Sequence, residues 1–111
     1  MAQFDVYKNE NNLTNQRVPY LLDVQNDILK SLKTRIVIPL VRDLKGVQGL
    51  SKEFIINDEK VYLTTAQMGA VTLSELKQKV LSLENEKEEI KNSIDFLIYG
   101  FWKNFPMKIG K

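Results

Sequence analysis

Residues 83–102 read LENEKEEIKNSIDFLIYGFW. This is the longest helical period in the chain, and every other segment has to pack around it. Leu83, Ile90, Ile94, Leu97 and Phe101 fall on one helix face, the spacing of an apolar stripe. Glu84, Glu86, Glu88 and Glu89 crowd the opening turns, where carboxylates suit the positive end of the helix dipole. The helix then grows apolar and aromatic until Tyr99-Gly100-Phe101-Trp102. Helix ends are usually polar, because the last carbonyls need partners and water supplies them. An apolar end with a glycine is therefore buried on its own fold or offered to another molecule. The residues alone leave both open.

Outward from the helix, the chain reads as short strands. Gln3 to Tyr7 alternates apolar and polar, the period of a half-buried strand. Lys8 to Arg17 is polar and asparagine-rich, which predicts an exposed loop. Val18 to Val24 reads as the returning strand of a hairpin. Gln25 to Thr34 is a connection with a short helical look. Arg35-Ile36-Val37-Ile38-Pro39-Leu40 is β-branched and reads as a strand, with Pro39 placed at its end or at an edge because proline cannot donate to a ladder. Val41 to Gly49 reads as a charged loop. Glu53–Ile56 and Lys60–Thr65 flank a turn signal at Asn57-Asp58-Glu59. Ala66 to Val71 is ambiguous. Leu73, Leu76, Val80 and Leu83 have spacings that allow a helix to start near Ser74. The result is a small, mostly antiparallel β domain closed by a C-terminal helix.

With 111 residues, the chain is one domain. A net charge of +2 with acids and bases interspersed offers no basic stripe for nucleic acid, so no direct nucleic-acid binding is expected. There is no cysteine and no histidine. Disulfides and thiolate metal sites are excluded, and so are the usual general base and metal ligand. No apolar run is long enough to span a membrane, and the first residues lack the pattern of a signal peptide. The expectation is a cytoplasmic bacterial protein with no cofactor, no metal, no membrane contact and no enzymatic chemistry.

Three features invite functional readings. Asp23 and Asp27 are four apart, but two carboxylates without further oxygen ligands make a poor calcium site, and solvated turn residues are the plainer reading. Gly46 and Gly49 are not followed by the Lys-Ser or Lys-Thr pair of a phosphate loop. Leu76, Leu83, Ile90 and Leu97 repeat every seventh residue, as do Val80, Lys87, Ile94 and Phe101. That pattern could make a helical dimer seam. Lys87 interrupts it, and one helix packed on a sheet explains it equally well.

Phe4-Asp5-Val6-Tyr7, Asp23-Val24-Gln25-Asn26-Asp27-Ile28-Leu29, Arg35-Ile36-Val37-Ile38-Pro39-Leu40, the segment Thr65 to Met68, and Glu89-Ile90-Lys91-Asn92-Ser93-Ile94-Asp95 stand in an order and spacing that resemble the CcdB family. These are the toxins of CcdA–CcdB toxin–antitoxin systems. The resemblance covers nearly all of residues 1–101, and residues 102–111 are an extension expected to fray. It implies an SH3-like, partly open barrel of antiparallel strands with a small extra sheet and the C-terminal helix. It also implies a homodimer that binds the A subunit of DNA gyrase, traps the cleaved-DNA complex, and is neutralised by a CcdA-like antitoxin.

The same resemblance implies which residues meet gyrase: Ile28, Leu29, Asp95, Ile98, Tyr99, Gly100 and Phe101. Ile90, Ile94 and Leu97 are expected in the core. Gly100 is expected to allow close backbone approach. Lys8 and Arg17, beside the asparagine-rich loop, are the candidates for an acidic antitoxin segment. Three departures stand out. The loop after Leu40 is shorter than in the best-known member of the family. Tyr99-Gly100-Phe101 occupies the place of a terminal Trp-Gly-Ile, with ten more residues after it. Asp95 stands where a neutral asparagine is familiar. The extension from Trp102 onward is placed where it could obstruct the aromatic end.

Overall fold

The computed structural model describes residues 2–42 and 52–100. Among these, strands β1 (Asp5–Lys8), β2 (Tyr20–Asp23), β3 (Thr34–Val41), β4 (Glu53–Ile56), β5 (Glu59–Leu63), β6 (Gly69–Thr72) and β7 (Lys79–Ser82) precede helix α1 (Lys87–Tyr99). Every pairing between strands is antiparallel. The order across the sheet is β4-β5-β3-β2-β1-β7, with β6 branching from β3. The sheet curls into an SH3-like half-barrel with the helix at its C-terminal end.

The eight residues of β3 make the branch possible. One side of β3 pairs with β2 from Tyr20↔Leu40 to Asp23↔Val37. The other side pairs with β6 along Thr34–Val37 and then with β5 at Leu40 and Val41. Pro39 falls in the gap between those two partners. It therefore lies inside the strand, not at its end or at a sheet edge as the sequence suggests. Backbone bonds alternate sides along an antiparallel strand, and Pro39 faces the gap. The Pro39 carbonyl there accepts the Thr64 N–H at 3.1 Å and the Thr64 hydroxyl at 2.8 Å. No ladder bond is lost to the missing N–H. The β4–β5 hairpin is joined to the rest of the sheet at this point, as its edge and not as a separate small sheet. Its two-residue turn has positive φ at both Asn57 (52°) and Asp58 (64°), the primed geometry that matches strand twist.

Period-two alternation buries both faces. Val6, Tyr20, Leu22, Ile38, Leu40, Phe54, Ile56, Val61 and Leu63 form the main core with Phe4, and Ile90 of α1 is sealed into it. On the opposite face Tyr7, Leu21, Val37 and Leu76 form a smaller cluster. A buried hydrogen bond between the Thr65 and Ser93 hydroxyls, 2.5 Å long, pins α1 to the turn after β5.

Several expectations change. The segment 73–82 is not helical. Leu73–Glu75 is a single 3-10 turn and Lys79–Ser82 pairs with β1 across a bulge at Val6/Tyr7. Leu76 and Val80 are therefore not on the helix, and the heptad seam dissolves. The helix begins at Lys87, after a 3-10 turn at Glu84–Glu86, and ends at Tyr99. Gly100 stops it in the left-handed conformation (φ 77°), its N–H reaching the Phe96 carbonyl at 3.0 Å. Its role in the chain is thus a helix cap of the kind glycine serves best. Ile90 is fully buried and Ile94 packs partly on the core, but Leu97 sits at its exposed margin. The loop 43–51 and the extension 102–111 lie outside the described residues.

A candidate protein-binding face

Two exposed apolar groups stand out on this scaffold. At the end of α1, Ile98 and Tyr99 are 57% and 68% exposed, with Leu97 beside them. Asp95 and Gly100 are half-buried, and Phe101 lies outside the described residues. The helix is anchored by Ile90 and Ser93, so the residues one turn later project past the core. Among the described residues of the apolar helix end, Ile98 and Tyr99 stand outside the core and are not folded in.

The second group is Ile28, 84% exposed, with Leu29 and Leu32. Asn26 caps a 3-10 turn at Asp27–Leu29, its side-chain oxygen accepting the Ile28 N–H at 2.8 Å. The sequence suggests a short helix here, and apart from the family likeness Ile28 and Leu29 could equally be the apolar residues of a buried turn. A buried turn is excluded by its exposure.

Beneath that turn lies a buried ion pair. The Arg35 Nε donates to Asp23 Oδ2 at 2.8 Å and its Nη2 to Oδ1 at 3.1 Å. Their side chains are 1% and 0% exposed. Nη2 also reaches the Gln25 carbonyl at 3.2 Å and Asp27 Oδ1 at 3.4 Å. Asp23 is therefore not a solvated turn residue, although Asp27 is largely exposed. What stands between the two aspartates is a guanidinium. Burial holds the Asp23 carboxyl above its ordinary range, against the opposing pull of the Arg35 bonds and the Gln25 N–H. Burial works to lower Arg35, but the hydrogen bond and charge of Asp23, with Asp27 adding, leave it raised. Tyr7 on the same face is raised by burial and by the nearby Asp5 and Asp23 carboxylates. Among the described residues no buried side-chain nitrogen or oxygen lacks a hydrogen-bond partner.

The two apolar groups are not brought into one patch by a single chain. A cleft of about 470 Å³ puts Asn26 and Asp27 beside Lys87, Glu88 and Lys91 in the first half of α1. At 1.5 Å per residue, the helix carries Tyr99 about 12 Å beyond Lys91.

Lys8 and Arg17 frame a separate region. Lys8, Asn15, Gln16, Tyr20 and Arg42 line a recess of about 230 Å³. Arg17 is exposed beside it, its carbonyl accepting the Arg42 N–H at 3.0 Å. Arg42 is itself paired with Glu59 and bonds the Gln16 carbonyl at 2.5 Å. The asparagine-rich loop is more ordered than its composition suggests. Asn9 is buried and donates to Thr14 Oγ1 at 3.0 Å and to the Val18 carbonyl at 2.8 Å.

Among the described residues, no cluster of three or more His, Cys, Asp or Glu could hold a metal ion, and no helix is long and apolar enough to cross a membrane. Compared with known protein families, the chain matches the CcdB protein model over residues 3–100.

Proposed function

Because the chain belongs to the CcdB family, whose membership points to the toxin half of a toxin–antitoxin pair, we propose that it is a homodimeric poison of DNA gyrase in the bacterial cytoplasm. It binds the A subunit through Ile28, Leu29, Asp95, Ile98, Tyr99, Gly100 and Phe101, and traps the complex in which DNA is cut. A CcdA-like antitoxin reverses this by laying an acidic segment against Lys8 and Arg17. The protein makes and breaks no bond itself. It acts by binding one state of gyrase better than another, and it can shift that equilibrium only by the difference.

The observation that carries the reading is the outward-facing helix end. A tyrosine 68% exposed beside an isoleucine 57% exposed gives a stacking surface and an apolar anchor. An aromatic face over a target guanidinium contributes about 0.5–2 kcal/mol. Expression without antitoxin in gyrase-sensitive cells tests this. Growth arrest with gyrase-dependent DNA breaks is expected, and normal growth with folded protein present refutes it.

Asp95 favours a second reading, in which the fold is kept and poisoning is altered. Asp95 is half-buried one turn before Tyr99, and stripping its carboxylate of water at a protein interface is costly unless a cation there offsets it. If growth is only slowed and Asp95→Asn restores full arrest, the carboxylate has tuned the toxin down. Equal toxicity of the two chains removes this reading.

A further inference from the structure

We propose that Gln25, with the Arg35–Asp23 pair behind it, is a positioning device that fixes the turn bearing Ile28 in its binding conformation before any partner arrives. This rests on the gyrase-binding reading above and adds residues that do not touch gyrase.

The turn is tied from three sides. Gln25 is 6% exposed. Its Nε2 donates to the Leu29 carbonyl at 3.2 Å, closing the 3-10 turn from below, and its Oε1 accepts the Ile36 N–H from β3 at 3.2 Å. Arg35 holds the Gln25 carbonyl while its fork is locked on Asp23, and Asp23 Oδ1 accepts the Gln25 N–H at 3.0 Å. From the N-terminal side, the Gln3 N–H donates to Asp27 Oδ1 at 2.9 Å and Gln3 Nε2 to the Val24 carbonyl at 3.0 Å. The next residue, Phe4, is held at φ 74°, a conformation uncommon for an aromatic side chain. A strained backbone persists only where its surroundings over-determine it.

This investment is out of proportion to what the turn buries. Ile28 has no packing of its own to hold it, being 84% exposed. An exposed apolar side chain on a loose turn would lose conformational freedom on binding, and that loss weakens affinity. On a turn already fixed by a buried polar network the loss is small. Gln25, Asp23 and Arg35 are buried beneath the turn and out of a partner's reach, so they act through Ile28 and not by contact.

A double-mutant cycle on the full chain separates positioning from mere structural support. Gln25→Ala is expected to weaken binding of the gyrase A fragment about tenfold, and Ile28→Ala more. Because Gln25 acts through Ile28, the double variant is expected to bind about as Ile28→Ala does. Asp27→Ala is expected to weaken binding, with Asp27→Asn recovering it, since an amide oxygen can still accept from Gln3 and Arg35. Unchanged affinity in a folded Gln25→Ala protein, or effects that simply add, overturns the proposal. Amide hydrogen exchange judges the device without gyrase. Faster exchange at Ile28 and Leu29 in Gln25→Ala, with β1–β3 unchanged apart from Ile36, whose N–H loses its acceptor, supports it, and unchanged exchange at both Ile28 and Leu29 overturns it. Should the unsubstituted chain fail to bind gyrase at all, the function reading falls and the exchange result alone decides this inference.

Discussion

Arg35→Ala is expected to cost about 3–5 kcal/mol of folding stability. The whole stability of such a domain is about 5–15 kcal/mol, so the variant should be barely folded or unfolded. The reason is the orphan it leaves. Asp23 is 0% exposed and directs both oxygens at the guanidinium. Without it, a buried carboxylate has one backbone N–H from Gln25 and no cation. Removing both charges is a different matter, because a buried ion pair often stabilises little compared with apolar groups of similar volume. Arg35→Met combined with Asp23→Leu should therefore lose less than Arg35→Ala alone. Denaturant midpoints for the three chains check this. An Arg35→Ala protein as stable as the parent would show that the pair is wetter than its burial implies.

Tyr99→Ala should leave stability within about 0.5 kcal/mol, as surface substitutions usually do. Its expected effect lies in binding. Central interface aromatics cost about 2 kcal/mol or more when truncated, which at about 1.4 kcal/mol per decade is roughly a thirtyfold loss of affinity. Calorimetric titration against the gyrase A fragment reads the effect, alongside a thermal melt. The combination matters: lost affinity at unchanged melting temperature assigns the residue to the interface. A lowered melting temperature with unchanged affinity would place it in the fold instead.

The parts of this molecule written in short-range periodicity were readable from sequence. Alternation marked β1, an apolar run marked β2, and a turn signal marked β4 and β5 on either side of it, each to within a residue or two. The turn at Asn57-Asp58 was legible because few other residues accept positive φ. The region 73–82 misled for a physical reason. Leu73, Leu76 and Val80 have helical spacing by coincidence, and pairing with β1 overrides it, since strand propensity depends on neighbours that the local sequence does not contain. Pro39 misled similarly. Its tolerance inside β3 depends on where β6 stops and β5 begins.

The site divides along the same line. The helix end was found as an apolar terminus that breaks the usual polar pattern. Its outward orientation was not legible, because it depends on how far Ile90 and Ser93 sink into the fold. The Arg35–Asp23 pair was missed. Twelve residues separate its members, and only the β2–β3 register, with Asp23 opposite Val37, brings them together. An arginine opening a β-branched run was the one available signal, because it shares a strand face with Val37, which is buried.

If this chain stabilises cut DNA on gyrase through its exposed helix end, purified components are enough to see it. Gyrase is incubated with supercoiled plasmid and ATP, with and without the chain, and then treated with detergent and protease. Linear DNA should rise with added chain and fall away with Tyr99→Ala. Plasmid that is never linearised at concentrations saturating the A subunit would contradict gyrase poisoning by this protein.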